Sequence, residues 1–301
     1  MRDDDDGGTI EEPRVDVKAS GEDRPKHVID EAGALTEAEE EKVIERLSLR
    51  APAVYAAVKE EGELELERPT ASLFFSGIVA GIAMGFSILT LALIRMHLPA
   101  DTQWEPLVSS FGYATGFLIV ILGRQQLFTE NTLTVVLPLT ASPSLGALGQ
   151  LLRVWGTVLL ANWIGCALIA LAFVTFSVVP DDVGTAVVDA SRHYGELSAD
   201  KAFVLGIGAG FLVAAMVWMM PAAEGSHFIL IVFVGWLIAL AGFTHVIAGM
   251  VEIVALWLVG DIDFTHALFT LALPTLAGNV IGGTVLFAAL AYAQVKSEVH
   301  P

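Results

Sequence analysis

The chain has 301 residues, 54% of them hydrophobic, and a mean hydropathy of +0.66. That excludes an ordinary water-soluble domain and indicates a polytopic membrane protein. With 34 acids against 16 bases the formal net charge is −18, the wrong sign for binding nucleic acid or anionic lipid through phosphate.

The charge is segregated. Residues 1–68 hold 21 of the 34 acids and 10 of the 16 bases, which leaves six Lys or Arg for the other 233 residues. The opening MRDDDDGG has no apolar core of the kind a signal peptide needs, so no cleaved leader is expected. Residues 1–34, with DDDD, EEP and scattered Gly and Pro, read as a disordered, solvated tail. Thr36-Glu37-Ala38-Glu39 then has capping-box spacing, and Val43, Ile44, Leu47 and Leu49 follow. An amphipathic helix is predicted over 36–50, packing on its own domain or binding a partner. Arg68-Pro69 ends this acidic extension; a transmembrane domain is predicted over 69–296, with a short tail at 297–301.

Six apolar segments follow, at about 71–94, 107–139, 151–179, 202–222, 228–258 and 268–294. Four are unbroken and long enough to cross about 30 Å of hydrocarbon. The second and fifth are over-long, interrupted by GRQQLFTENT (123–132) and by GFTHVIAG (242–249). Short strings recur in order between the halves: Gly77–Gly81 with Gly206–Gly210, Phe128-Thr129 with Phe243-Thr244, and Asn162–Gly165 with Asn279–Gly282. Three spans per half invert the second half relative to the first. The expectation is therefore an all-α membrane protein of six helices in an inverted 3+3 repeat, with broken second and fifth helices.

Backbone that leaves helical geometry at membrane depth survives only inside protein or along a cavity. The N-termini freed there carry partial positive charge and suit a small anion. Thr129 offers a hydroxyl at the first break. His245 lies at the second; an ionisable group within a span is a functional candidate, and a neutral imidazole can donate one hydrogen bond and pass a proton. Arg124 and Glu130 either pair with each other or face the solute. Asn279 either satisfies broken-helix backbone or touches the solute. Glu252 has no third ligand nearby for a metal, and Arg192, His193 and Lys201 read as loop positions. No Cys/His set has zinc spacing, no glycine-rich loop has phosphate-binding spacing, and the single cysteine, Cys166, excludes a disulfide framework. No cofactor, metal or covalent catalysis is expected, so an enzyme is not.

Leu127-Phe128-Thr129, Gly242-Phe243-Thr244-His245-Val246-Ile247-Ala248-Gly249-Met250 and Gly278-Asn279-Val280-Ile281-Gly282-Gly283 resemble the formate/nitrite transporter family, in order and at the expected spans. The acidic extension and GRQQLFTENT resemble its divergent YfdC-like branch. The resemblance covers about 69–294. It implies an aquaporin-like protomer, a homopentamer with one pore per protomer, and passage of a small monovalent anion or its weak acid, passively or with a proton. It matches Thr129, His245 and Asn279 to the family's loop threonine, central histidine and sixth-span asparagine. Phe117 and Phe128 form one apolar constriction, Val213 and Ile238 the other, and Tyr113 falls where an aromatic is usual. Departures fall at Arg124, Gln125, Gln126, Glu130 and Thr244, which make candidate selectivity positions. Gly210 and Gly249 stand where asparagines are usual, leaving room for a larger solute. A bacterial or archaeal cytoplasmic membrane is implied; Arg50, Lys59, Arg68, Arg153 and Lys296 favour cytoplasmic termini. A pore for a neutral solute, and a non-conducting scaffold acting through the acidic tail, are the alternatives.

Overall fold

The computed structural model describes residues 49–99 and 102–299; the helix expected over 36–50 lies almost wholly outside them. The described residues are helical, with no strand among them. Helix α1 (Ala51–Glu67) begins with Pro52 in its first turn, where a missing N–H costs nothing. Residues 51–67 were grouped above with the acidic extension, yet they pack on the helical body through Val54, Tyr55, Val58 and Leu66. At Gly62 a Cβ would overlap the carbonyl of Thr134, so this helix runs backbone against backbone.

Helix α2 (Thr70–His97) follows. Helix α3 (Glu105–Ser109) then passes through a 3₁₀ turn (Ser110–Tyr113) into α4 (Ala114–Leu122). A stretch of turns leads to the short α5 (Val136–Ala141), after which α6 (Leu145–Val174) starts where the Ser144 hydroxyl accepts from Ala147 N–H at 3.0 Å. An amphipathic α7 (Asp181–Gly195) and α8 (Ala199–Met219) come next, then α9 (His227–Leu240) and α10 (Ala248–Val259). The last apolar stretch is helical throughout but changes register. π-Helical turns at His266–Ala272 and Ile281–Ala288 flank α11 (Leu273–Val280), and α12 (Ala289–Val299) ends the described chain. Pro274 has no N–H for an α-helical bond, which gives a local reason for the first register change.

Among the described residues, five helical stretches are long and apolar enough to cross a membrane: 70–97, 105–122, 145–174, 199–222 and 266–298. The segment predicted at 228–258 is split into α9 and α10, of 14 and 12 residues, each too short alone. Helix α2 packs on α6, and α8 packs on α11 and the π turn after it. A Cβ at Gly81 would overlap Asn162 O and one at Gly165 would overlap Ile78 O. Likewise Gly210 faces Asn279 O and Gly282 faces Ile207 O. These contacts repeat with the spacings of the first and third sequence echoes. Small residues here bring helix backbones together where dispersion and close approach, rather than water, must hold them.

Candidate functional site

The two interruptions are built alike, bond for bond. At the first, Arg124 takes a left-handed conformation (φ 52°), with Arg124 N–H donating to Ile121 O at 3.2 Å and Gln125 N–H to Val120 O at 2.9 Å. At the second, Gly242 (φ 65°) donates to Ala239 O and Phe243 to Ile238 O, both at 3.0 Å. Both are Schellman caps, which close the carbonyls of a helix that stops inside the protein.

An asparagine then fixes the chain beyond each cap. Asn162 on α6 accepts from Phe128 N–H (2.9 Å) and donates to Gly77 O and Gln126 O (both 2.8 Å). Asn279 on α11 accepts from Val246 N–H and donates to Gly206 O and Thr244 O, all at 2.9 Å. Gln126 thus corresponds to Thr244, and Phe128 to Val246. The Phe128-Thr129 to Phe243-Thr244 echo is out of register with these bonds by three positions; that two-letter match is a coincidence of composition. Each asparagine spends both N–H donors and one oxygen lone pair on backbone, so Asn279 holds the break.

Between the breaks, Thr129 Oγ1 lies 2.8 Å from His245 Nε2, and both residues are fully buried. His245 Nδ1 accepts from Ala248 N–H at 3.2 Å. A neutral imidazole has one donor and one acceptor nitrogen, so Nε2 carries the proton and donates to Thr129. The Thr129 hydroxyl proton then has no acceptor among the described residues, and remains a donor for something else. The Phe117 ring meets His245 edge-on at 5.0 Å, and Tyr113 lies 5.9 Å from Phe117. Val213 and Ile238 are fully buried in the same core. Phe128 packs on Trp155 at 5.6 Å, and the Trp155 indole donates to Asn131 O at 3.0 Å.

The selectivity candidates scatter. Arg124 does not pair with Glu130: its guanidinium bonds Glu61 of α1 at 2.9 Å, with an Arg side chain 84% exposed. The left-handed backbone at Arg124 turns the side chain out of the break, and α1 supplies the carboxylate. Glu130 is partly buried, and no described residue hydrogen-bonds its carboxylate. Gln126 is buried and accepts from Asn131 Nδ2 at 3.2 Å, while its N–H donates to the Ser76 hydroxyl at 3.0 Å. The Thr244 hydroxyl donates to Ala202 O at 2.8 Å. Nor do the two glycines leave room. Gly210 is filled by the Asn279 backbone, and a Cβ at Gly249 would come within 2.7 Å of the Tyr194 hydroxyl. Tyr194, from α7, is buried and bonds Thr275 Oγ1 at 2.8 Å. No sequence signal announced it, since the stretch around Arg192 and His193 reads as loop, whereas the structure places both on α7. Asn162 was legible through its echo with Asn279. No group of three His, Cys, Asp or Glu among the described residues is placed to hold a metal.

Residues 52–293 match the family model described as formate/nitrite transporter. The chain belongs to the formate/nitrite transporter family. It is 39% identical over 255 residues to the inner membrane protein YfdC of Escherichia coli K12, covering 85% of this chain and 82% of that protein. It is 28% identical to the formate channel FocA of Haemophilus influenzae, over 73% of this chain and 84% of FocA. Among solved structures, a pentameric formate channel with formate bound superposes with a TM-score of 0.65 at 22% identity, covering 76% of this chain and 98% of that one. A second channel of the family gives 0.68 at 20%, covering 81% and 98%. This member thus shares the helical fold of the family's solved channels.

Proposed function

We propose that this protein is a passive or proton-coupled channel for a small monovalent anion or its conjugate weak acid, with the Thr129–His245 pair as the point of passage. The observation that carries this reading is the 2.8 Å contact between a buried threonine and a buried histidine, one from each helix break. The unused Thr129 proton offers a hydrogen bond to an anion. A proton taken up from solution at Nδ1 makes the imidazolium; its Nε2 proton then passes to Thr129 as the Thr129 proton passes to the anion, so the solute leaves as a neutral acid and His245 returns to a neutral imidazole. Phe117, Tyr113, Val213 and Ile238 form the apolar surroundings that a hydrated ion cannot enter without losing its shell.

The matched caps and asparagine clamps support an inverted repeat of six spans, α9 and α10 together making the fifth. The relative described as a pentameric channel supports a homopentamer, and the relative in the E. coli inner membrane a cytoplasmic membrane. Arg50 bonds Glu298 at 3.1 Å, so both ends of the described body share a face, and Arg153 binds Leu66 O and Arg68 O there. That basic face supports cytoplasmic termini. Formate and nitrite uptake into proteoliposomes across pH 5–8 tests the reading: His245→Phe and Thr129→Val should abolish pH-dependent uptake, and Thr129→Ser should keep it. Unchanged uptake by His245→Phe would refute it. Passage of a neutral solute is a second reading, favoured by the unpartnered carboxylate of Glu130; flux indifferent to membrane potential and to ionisation of the solute would establish it.

A further inference from the structure

Glu252 is a second carboxylate without a partner, and it belongs to no part of the site described above. It sits on α10, 5% exposed, and no described residue makes a hydrogen bond or an ion pair with it.

Its position follows from helix geometry. Gly249 N–H donates to His245 O at 2.8 Å, Met250 N–H to Ile247 O at 3.2 Å, and α10 proper begins at Ala248. Glu252 stands in its second turn, seven residues beyond His245 and about 10 Å further along the chain's course. Among the titratable groups on the elements around α10 are Arg95 from α2, Tyr113 from the 3₁₀ turn, His193 and Tyr194 from α7, Cys166 from α6 and His266 from the π turn. Each has another engagement or none with Glu252: Arg95 bonds Glu105 (2.9 Å), Tyr194 bonds Thr275 (2.8 Å), Cys166 bonds Ile247 O (3.2 Å), and His266 bonds Gly195 O (2.9 Å). Tyr113 stacks toward Phe117 and so toward His245.

We infer that Glu252 is a titratable charge gate on the solute path, on the side of His245 where α10 ends. Ionised, it repels an approaching monovalent anion. Protonated, its hydroxyl offers the anion a hydrogen bond and the repulsion is gone. The inference rests on the channel reading above and adds a specificity-determining residue to it. A unit charge about 10 Å from the site, at an effective dielectric near 20, changes occupancy by roughly tenfold.

The test compares wild type, Glu252→Gln and Glu252→Asp in formate uptake by proteoliposomes, at matched protein density, from pH 5 to 10. The ratio of Glu252→Gln to wild-type uptake should rise from near one at pH 5 toward about tenfold at pH 10, with Glu252→Asp following wild type. A ratio that stays constant with pH, or falls uniformly as for a packing defect, overturns the inference. If wild type moves no formate or nitrite, the channel reading fails on its own. In that event Glu252→Cys is treated with neutral and negatively charged thiol reagents, against the buried Cys166 of wild type as blank. Modification keeps residue 252 on an aqueous path; protection from both reagents removes it.

Discussion

Replacing Asn279 by alanine tests how the break is held. The side chain makes three bonds, but they are not equally needed. Gly206 lies inside α8, so its carbonyl keeps a helical donor when the asparagine is gone. Val246 N–H and Thr244 O have no other partner among the described residues. Two buried backbone groups are therefore orphaned, at about 1–3 kcal/mol each, so the substitution costs about 2–6 kcal/mol. With ~2–4 °C per kcal/mol for a domain of this size, the apparent Tm should fall by at least about 4 °C.

The same reasoning applied to Asn162→Ala orphans Phe128 N–H and Gln126 O, and gives a loss of the same size. Asn279→Asp separates the donor from the acceptor. It keeps an oxygen for Val246 N–H but turns a second oxygen on Gly206 O and Thr244 O, so it should melt lower than the alanine variant at pH 8 and recover at pH 5, where a protonated acid can donate. Apparent Tm is read by fluorescence in detergent at one scan rate, since unfolding of such proteins is commonly irreversible. If both alanine variants melt within about 2 °C of wild type, or if only one of the pair is damaged, the clamps are not equivalent and the argument fails.

Gly249→Ala should lower Tm by pressing on the Tyr194 ring, and Tyr194→Leu in the same chain should restore most of it, as read by the double-mutant cycle. Gly210→Ala presses on the Asn279 backbone, so no side-chain change should rescue its expression or melting. At Arg124 a glycine removes about 1 kcal/mol of left-handed strain and gives up an exposed ion pair of about 0–1 kcal/mol, so Arg124→Gly should melt at or slightly above wild type, whereas Gly242→Ala should melt lower. Thr129→Val should cost about 1–3 kcal/mol through the unpaired His245 Nε2, with Thr129→Ser losing little, both seen in thermal melts.

What was legible in the sequence was what repeats. Hydropathy marked the spans because lipid demands about 20 apolar residues, and the polar strings GRQQLFTENT and GFTHVIAG marked the breaks because nothing else explains them at that depth. The glycine and asparagine echoes marked α2 with α6 and α8 with α11. What was hidden depended on direction. A left-handed residue sends its side chain away from where sequence neighbours suggest, and so Arg124 meets Glu61 rather than Glu130. A glycine reads as empty space until the neighbour that fills it is known; at Gly249 that neighbour is Tyr194, from a helix with surface composition. Glu252 offers no metal site in the sequence for want of a third ligand, and its place beyond His245 follows only once α10 is seen to begin at Ala248.

The two breaks share a backbone and differ in what they carry. In the register set by the caps and clamps, His245 corresponds to Leu127, and Thr129 corresponds to Ile247. Each half therefore gives one polar group and one apolar group to the centre. Two histidines there would repel once either was protonated, and two leucines would offer a solute nothing. One imidazole against one hydroxyl makes a pair in which Nε2 donates, Thr129 accepts, and the hydroxyl proton is left over. The matched caps and clamps hold a gap in the helices by backbone hydrogen bonds, and the unlike residues at these two positions put one donor–acceptor pair, His245 and Thr129, into that gap.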